Sequence, residues 1–164
     1  MKARLESLSK IEALEKIRSI ANYQFGRGAG IRLFPKNVKL AFSPNTGRIK
    51  HIFLNGELLC TLRPTNGYFG LTLYGARRLA KILPRPRLRV VIQGEVAEFI
   101  KQGKSVFAKH VVAADQEIRP MEEVLVTDQN DEVIAVGRAI LTGTEMPRFK
   151  RGVAVKVRHG VNES

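Results

Sequence analysis

The chain has 164 residues, 44% of them hydrophobic, with 28 Lys+Arg against 15 Asp+Glu, a formal net charge of +13 and a pI near 10.4. That is enough apolar material for one compact domain or two small ones, and no stretch approaches the roughly 18 consecutive apolar residues of a membrane span. The N-terminus lacks the apolar core of a secretory signal, so a cytoplasmic protein is expected, and the single cysteine, Cys60, excludes an internal disulfide framework and a multi-cysteine zinc site.

Leu5, Leu8, Ile11, Leu14, Ile17 and Ile20 recur every three residues, with Glu6/Lys10 and Glu12/Lys16 four apart in the favourable order; this predicts an amphipathic helix ending near Tyr23. Gly26-Arg27-Gly28-Ala29-Gly30 stops it. A dinucleotide loop would need a strand in front and a third glycine at Ile31, so that chemistry is excluded. An antiparallel meander follows, with strands predicted over 48–54, 57–63 and 68–73, because Asn55-Gly56 and Asn66-Gly67 supply the positive φ angles of tight hairpins. Cys60 falls on the middle strand and reads as core. A short helix is predicted over 75–83, with Arg77, Arg78 and Lys81 on its outer face. Pro84-Arg85-Pro86-Arg87 ends that helix and predicts a short, extended linker. The domain boundary is placed there, giving domains of 1–83 and 84–164.

The second half opens with a predicted strand over 88–92 and a short helix over 95–102, closed by Gly103 in a left-handed position. Gly103-Lys104-Ser105 resembles the end of a nucleotide P-loop, but the position that must be glycine is Glu98, inside the predicted helix. A carboxylate there repels phosphate and a P-loop follows a strand, so the nucleotide reading fails. Strands near 123–127, 133–141 and 153–158, with a helical turn at 144–149, predict a small barrel-like β structure. The expected fold class is therefore α+β: a helix plus antiparallel meander, then a small barrel.

Charge is distributed unevenly. Residues 1–83 hold 15 Lys+Arg against 4 Asp+Glu, and residues 84–164 hold 13 against 11. Within the second half, seven acids lie between Asp115 and Glu132, whereas six bases lie between Arg138 and Arg158. Such a surplus favours polyanions, nucleic acid before an anionic membrane surface.

The stretch "GKSVFAKHVVAADQEIRPMEEVLVTDQNDEVIAVGRAILTGTEMPRFKRGVAVKVRHG", 103–160, resembles a PUA domain, the RNA-binding module named for pseudouridine synthases and archaeosine transglycosylases. The motifs are Gly-x-Ser-Val at 103–106, Ala-x-Gly-x-Ala at 135–139 and Arg-Gly-x-Ala-Val at 151–155, in that order. "YQFGRGAGIRLFP" and "TGRIKHIFLNGELLCTLRPTNGYFGLTLYGARRL" resemble the small α+β domain that precedes PUA in archaeal tRNA-guanine transglycosylases. The resemblance covers about residues 20–160. It implies a pseudo-barrel that docks on structured RNA, in those enzymes the tRNA acceptor stem and 3′ end. Their catalytic barrel, with paired aspartates and zinc ligands, has no counterpart here. Two departures stand out. The family's Arg-Pro-Gly-Asp-Glu-Val is Arg119-Pro120-Met121-Glu122-Glu123-Val124 here, with Pro120 suited to the second position of a type I turn, and residues 1–20 match poorly.

RNA recognition by shape needs donors aimed at phosphates and 2′-hydroxyls. Gly103 offers close approach, Lys104 a charge, Ser105 a hydroxyl, and the backbone N–H groups through Val106 further donors. Phe107 is either core or a stacking platform for an unpaired base. Lys109 shares its strand face if the segment is extended. The family pattern implies that Arg148, Lys150, Arg151, Lys156 and Arg158 surround this loop, with Lys156 and Arg158 on one face of the last strand. His51, His110 and His159 are scattered and flank no cysteine pair, so they read as surface or hydrogen-bonded residues rather than ligands. No catalytic constellation, metal site or cofactor is expected. The expected function is non-catalytic binding of RNA, tRNA foremost, with no membrane contact. The alternative is an adaptor or accessory subunit of a tRNA-modifying enzyme or ribosome-assembly complex, docking through residues 1–20.

Overall fold

The computed structural model describes residues 2–163, with side chains from Ser9 onward. The chain separates into two compact units, Met1–Gly70 and Leu71–Ser164.

In the first unit, helix α1 spans Lys2–Phe25. Its buried stripe is Leu14, Ile17, Ala21 and Phe25, while Ile11 is 50% exposed. This corrects the apolar face read from the sequence. Three residues fall short of a 3.6-residue turn, so a strict period of three winds around the helix, whereas the spacing of 14, 17, 21 and 25 stays on one side. Leu5, Leu8 and Glu6 lie outside the described side chains. The glycine-rich stretch is a helix corner. Gly26 (φ 134°) and Gly28 (φ 85°) hold left-handed backbone, and helix α2, Ala29–Leu33, folds back on α1. Gly30 lies so close to α1 that a Cβ would overlap the Arg18 carbonyl, while its N–H donates to Asn22 Oδ1 at 2.7 Å.

The meander is present, with one strand more than predicted. β1 (Lys39–Phe42), β2 (Ile49–Leu54), β3 (Glu57–Leu62) and β4 (Phe69–Leu71) form an antiparallel sheet in that order. Asn55 (φ 53°) and Gly56 (φ 82°) make the β2–β3 turn as their residue types demand. Phe25, Phe34, Leu59, Cys60 and Phe69 are completely buried, so the cysteine is core.

The second unit begins with helix α3, Leu73–Ile82, capped by Thr72, whose hydroxyl accepts the Gly75 N–H at 3.1 Å. The prolines after it stop the helix, but the segment is a turn rather than the predicted extended linker: Arg87 N–H donates to Pro84 O (3.0 Å) and Arg89 N–H to Pro86 O (2.9 Å). Arg89, 3% exposed, donates to Ala80 O (2.6 Å) and Leu83 O (3.0 Å) and pairs with Asp131 at 3.2 Å. A buried guanidinium thus satisfies the last carbonyls of α3, which have no partner within the helix.

The second sheet contains β5 (Arg89–Ile92), β6 (Val106–Phe107), β7 (Val111–Ala114), β8 (Glu123–Thr127), β9 (Val133–Ala139) and β10 (Val153–Gly160), ordered β6-β10-β9-β8-β5-β7. β5 and β8 are parallel, and the other pairs are antiparallel. The two outer strands, β6 and β7, are consecutive in sequence, joined by the 3-10 turn Ala108–His110. The sheet therefore curls into a nearly closed barrel, which hides the edges that an open sheet would present. At 119–122 the Glu122 N–H donates to Arg119 O at 3.2 Å with Met121 at φ 77°. A type I turn does not allow that angle, so Met121 occupies the left-handed place of the family glycine.

Glu123 opens β8 with its side chain 1% exposed and accepts hydrogen bonds from Arg158 and Leu71. Arg158 Nη1 donates to its Oε1 at 2.7 Å, Arg158 Nη2 to its Oε2, and the Leu71 N–H to Oε2 at 2.5 Å. Arg158 Nη2 also donates to Leu71 O at 2.7 Å. Removing one partner of a buried pair leaves the other charge uncompensated. Arg158→Met is expected to lower stability by about 2–4 kcal/mol, measured by urea denaturation; a loss under about 0.5 kcal/mol, the size of an ordinary surface change, would contradict this account.

Candidate nucleic-acid interface

The sequence places Gly103 at a helix end, and the structure shows why the loop bends there. A 3-10 turn, Gly94–Val96, leads into helix α4, Ala97–Lys101. Gly103 (φ 100°) donates to Ile100 O at 3.0 Å, and the Lys104 N–H to Phe99 O at 3.2 Å. Those two N–H groups therefore close the helix and are not available to a phosphate, which corrects the backbone cradle expected there. Glu163 lies beside Gly103: a Cβ there would stand in ordinary contact with the Glu163 carboxyl carbon, at 3.5 Å.

What the loop does present is side chains. Lys104 is exposed and Ser105 half-buried, whereas Val106 is completely buried and contributes to the barrel core rather than to any ligand. β6 pairs with β10 through Phe107↔Val153 and Val106↔Val155, and the Ala108 N–H donates to Gly152 O at 2.9 Å. Alternation along the strand turns Val106 inward and Phe107 outward. Phe107 is 47% exposed and meets the His110 ring edge-on with centroids 6.4 Å apart. Of its two readings, core is excluded. Lys109 does not share a strand face with Phe107, because the chain turns into the 3-10 segment after Phe107; both side chains are nevertheless exposed.

The same pairing brings the segment before β10 alongside. Arg148, Lys150 and Arg151 are exposed, anchored by the buried Met146 and by the Phe149 N–H donating to Glu145 O at 2.9 Å. Phe149, 44% exposed, escaped the sequence reading, although an aromatic set among cations, Arg148-Phe149-Lys150-Arg151, was the available signal. Lys156 is exposed on β10 directly opposite Arg138 on β9, which lies opposite Glu123 on β8. The Nε of Arg138 is buried without a hydrogen-bond partner, so Arg138 is a second residue of this face that the sequence reading did not select. Arg158 lies on the same strand, but its guanidinium is committed to Glu123 and Leu71, so it serves the fold rather than a ligand.

The two paired segments and β10 thus carry the exposed cations Lys104, Lys109, Arg148, Lys150, Arg151 and Lys156 and the half-exposed rings of Phe107 and Phe149. This arrangement can attract phosphates and offer faces to unpaired bases. Among the described residues no three His, Cys, Asp or Glu side chains are grouped to hold a metal ion, and no helix is long and apolar enough to cross a membrane.

Comparison with known families finds two domains in the chain. The PUA domain matches residues 88–161, and the patch-forming domain C2 of tRNA-guanine transglycosylase matches residues 15–86. The chain thus carries both domains and is homologous to the C-terminal, non-catalytic portion of archaeal tRNA-guanine transglycosylase. It is 43% identical over 159 residues to the tRNA-guanine(15) transglycosylase of Thermococcus kodakarensis, covering 97% of this chain and 27% of that enzyme. With the enzyme of Methanothermobacter thermautotrophicus it shares 43% identity over 150 residues, 92% of this chain and 23% of the other. The chain therefore spans about a quarter of the curated relatives it matches. Among solved structures, a Pyrococcus horikoshii protein superposes with a TM-score of 0.74 at 24% identity, covering 93% of this chain and 92% of that one. A conserved PUA domain protein from Thermoplasma acidophilum gives 0.66 at 20% identity, with 94% and 92% covered. These two likenesses concern the fold. The PUA domain is an RNA-binding fold.

Because Phe107 is half outside the core, Phe107→Ala is expected to cost less than about 1.5 kcal/mol in urea denaturation. A loss of 3–5 kcal/mol, usual for a buried Phe, would return it to the core.

Proposed function

We propose that this protein binds tRNA without catalysing a reaction on it, in the cytoplasm, and serves a tRNA-modification pathway. The PUA module, taken as 84–164, supplies the contact through Lys104, Ser105, Phe107, Lys109, Arg148, Lys150, Arg151 and Lys156. The observation that supports this reading is the β6–β10 pairing, which sets the exposed Phe107 beside the strand that follows the exposed Arg148, Lys150 and Arg151. Homology to the portion of a tRNA-modifying enzyme outside its catalytic domain supports tRNA as the ligand class.

A second reading, supported by homology to a tRNA-modifying enzyme, is an accessory subunit that presents tRNA to a catalytic partner and docks through residues 1–20. Copurification of such a chain, lost on removal of residues 1–20 while tRNA binding persists, is the outcome this version expects.

Lys104→Glu and Arg151→Glu are each expected to weaken binding of a tRNA transcript by about three- to tenfold. Each should also reduce the slope of log K against log salt by about one. Equal affinity for tRNA, duplex DNA and heparin, unmoved by both substitutions, would sink the proposal. Nucleosides of tRNA incubated with the purified protein alone should remain unchanged by mass spectrometry.

A further inference from the structure

Away from the PUA surface, the first unit displays an aromatic pair that its own core does not require. Tyr23, near the end of α1, is 80% exposed, and Tyr68, in the loop between β3 and β4, is 38% exposed. Their rings are parallel to within 4°, with centroids 6.1 Å apart. Two flexible surface tyrosines would not normally be held in register, and here a specific device does it. The side chain of Gln24, next to Tyr23, clamps the backbone of Phe69, next to Tyr68: its Nε2 donates to Phe69 O at 2.9 Å, and its Oε1 accepts the Phe69 N–H at 2.7 Å. The Tyr68 N–H is held by Asn66 Oδ1 at 3.0 Å, and Phe69 is anchored in the core against Phe34, centroids 5.3 Å apart. The pair is thus preorganised while most of one ring faces solvent.

We propose that Tyr23 and Tyr68 form a second RNA contact, a platform on which an unpaired base stacks, distinct from the PUA loop. Aromatic faces accept bases with little sequence preference, because every base has a π-face. Charge selects a polyanion over a protein surface as the occupant. Residues 1–70 carry 12 Lys+Arg against 4 Asp+Glu, and Arg27, four residues after Tyr23, is exposed. The Tyr68 phenol is also held above its ordinary ionisation range, first by repulsion from an ionised Tyr23, then by partial burial and a hydrogen bond with Tyr23. The raised Tyr68 phenol stays protonated and puts no negative charge beside a phosphate backbone. The inference rests on the RNA-binding reading above.

The chain has 3 tyrosines and no tryptophan, so its intrinsic fluorescence reports largely on this pair. The probe is a short RNA hairpin with a single-stranded extension carrying 2-aminopurine, compared with the same hairpin blunt-ended. The extended hairpin is expected to quench tyrosine emission and to bind about tenfold more tightly than the blunt one. Tyr23→Ala should remove the quenching and most of that preference, Tyr23→Phe should retain the preference, and Tyr74→Phe should retain both. Tyr23→Ala bound as tightly as wild type while Arg151→Glu is weakened would overturn this inference and leave the PUA surface standing. No binding of either hairpin or tRNA by the wild-type protein would overturn both.

Discussion

Two residues of strand, Val106 and Phe107, hold the candidate site together. Pairing them with Val155 and Val153 of β10 places the first edge of the barrel. The 3-10 turn that follows carries the chain straight to the other edge, β7. Because side chains alternate across a strand, one register satisfies two demands: Val106 fills the core and Phe107 is left outside. The same register brings Gly152 to the Ala108 N–H and with it the exposed Arg151 and Lys150. Slipping the pairing by one residue would bury Phe107, expose Val106 and move the cations of 148–151 away from Lys104 and Lys109.

The structure also sorts the positive charges by the work they do. Arg89 and Arg158 are drawn into the second unit, each bonded both to a carboxylate and to backbone carbonyls. In the first unit Arg18 donates to Phe34 O at 2.9 Å. A guanidinium suits this because its planar fork satisfies several acceptors at once. Lys104, Lys109, Arg148, Lys150, Arg151 and Lys156 stay in solvent, where their attraction for phosphates is additive and screened by salt. Arg138 stands between the groups, half-buried beside Glu123 and Lys156, with one donor unmatched.

Both glycine-rich stretches that imitate nucleotide loops are junctions of helices. At Gly30 the absence of a side chain lets α2 cross the backbone of α1, and at Gly103 a left-handed residue lets the carbonyls of α4 find donors. The N–H groups of Gly26, Ala29, Gly30, Gly103 and Lys104 are consumed by these closures. That shifts the weight of the candidate site from the Gly-Lys-Ser backbone to the exposed lysines and to the segment preceding β10.

Local chemistry made much of the fold legible in the chain itself. Asn-Gly pairs marked the hairpins, the prolines after Leu83 marked a helix end, and short apolar runs marked β8, β9 and β10, because turn angles and hydrophobic runs are properties of neighbouring residues. The short elements α2, β1 and β7 escaped, being too brief for a period to show. The basic composition and the order of the PUA motifs point to RNA, and the family pattern singles out the cations of 148–151 and 156. Tertiary structure decided what each side chain does. Arg158 and Lys156 look equivalent two positions apart on one strand, yet Arg158 meets Glu123 from 35 residues earlier in the chain and Lys156 meets solvent. Phe107 and Val106 are both apolar neighbours, and only the register with β10 sets which one faces inward. Exposure and partnership depend on residues remote in sequence, and no local pattern records them.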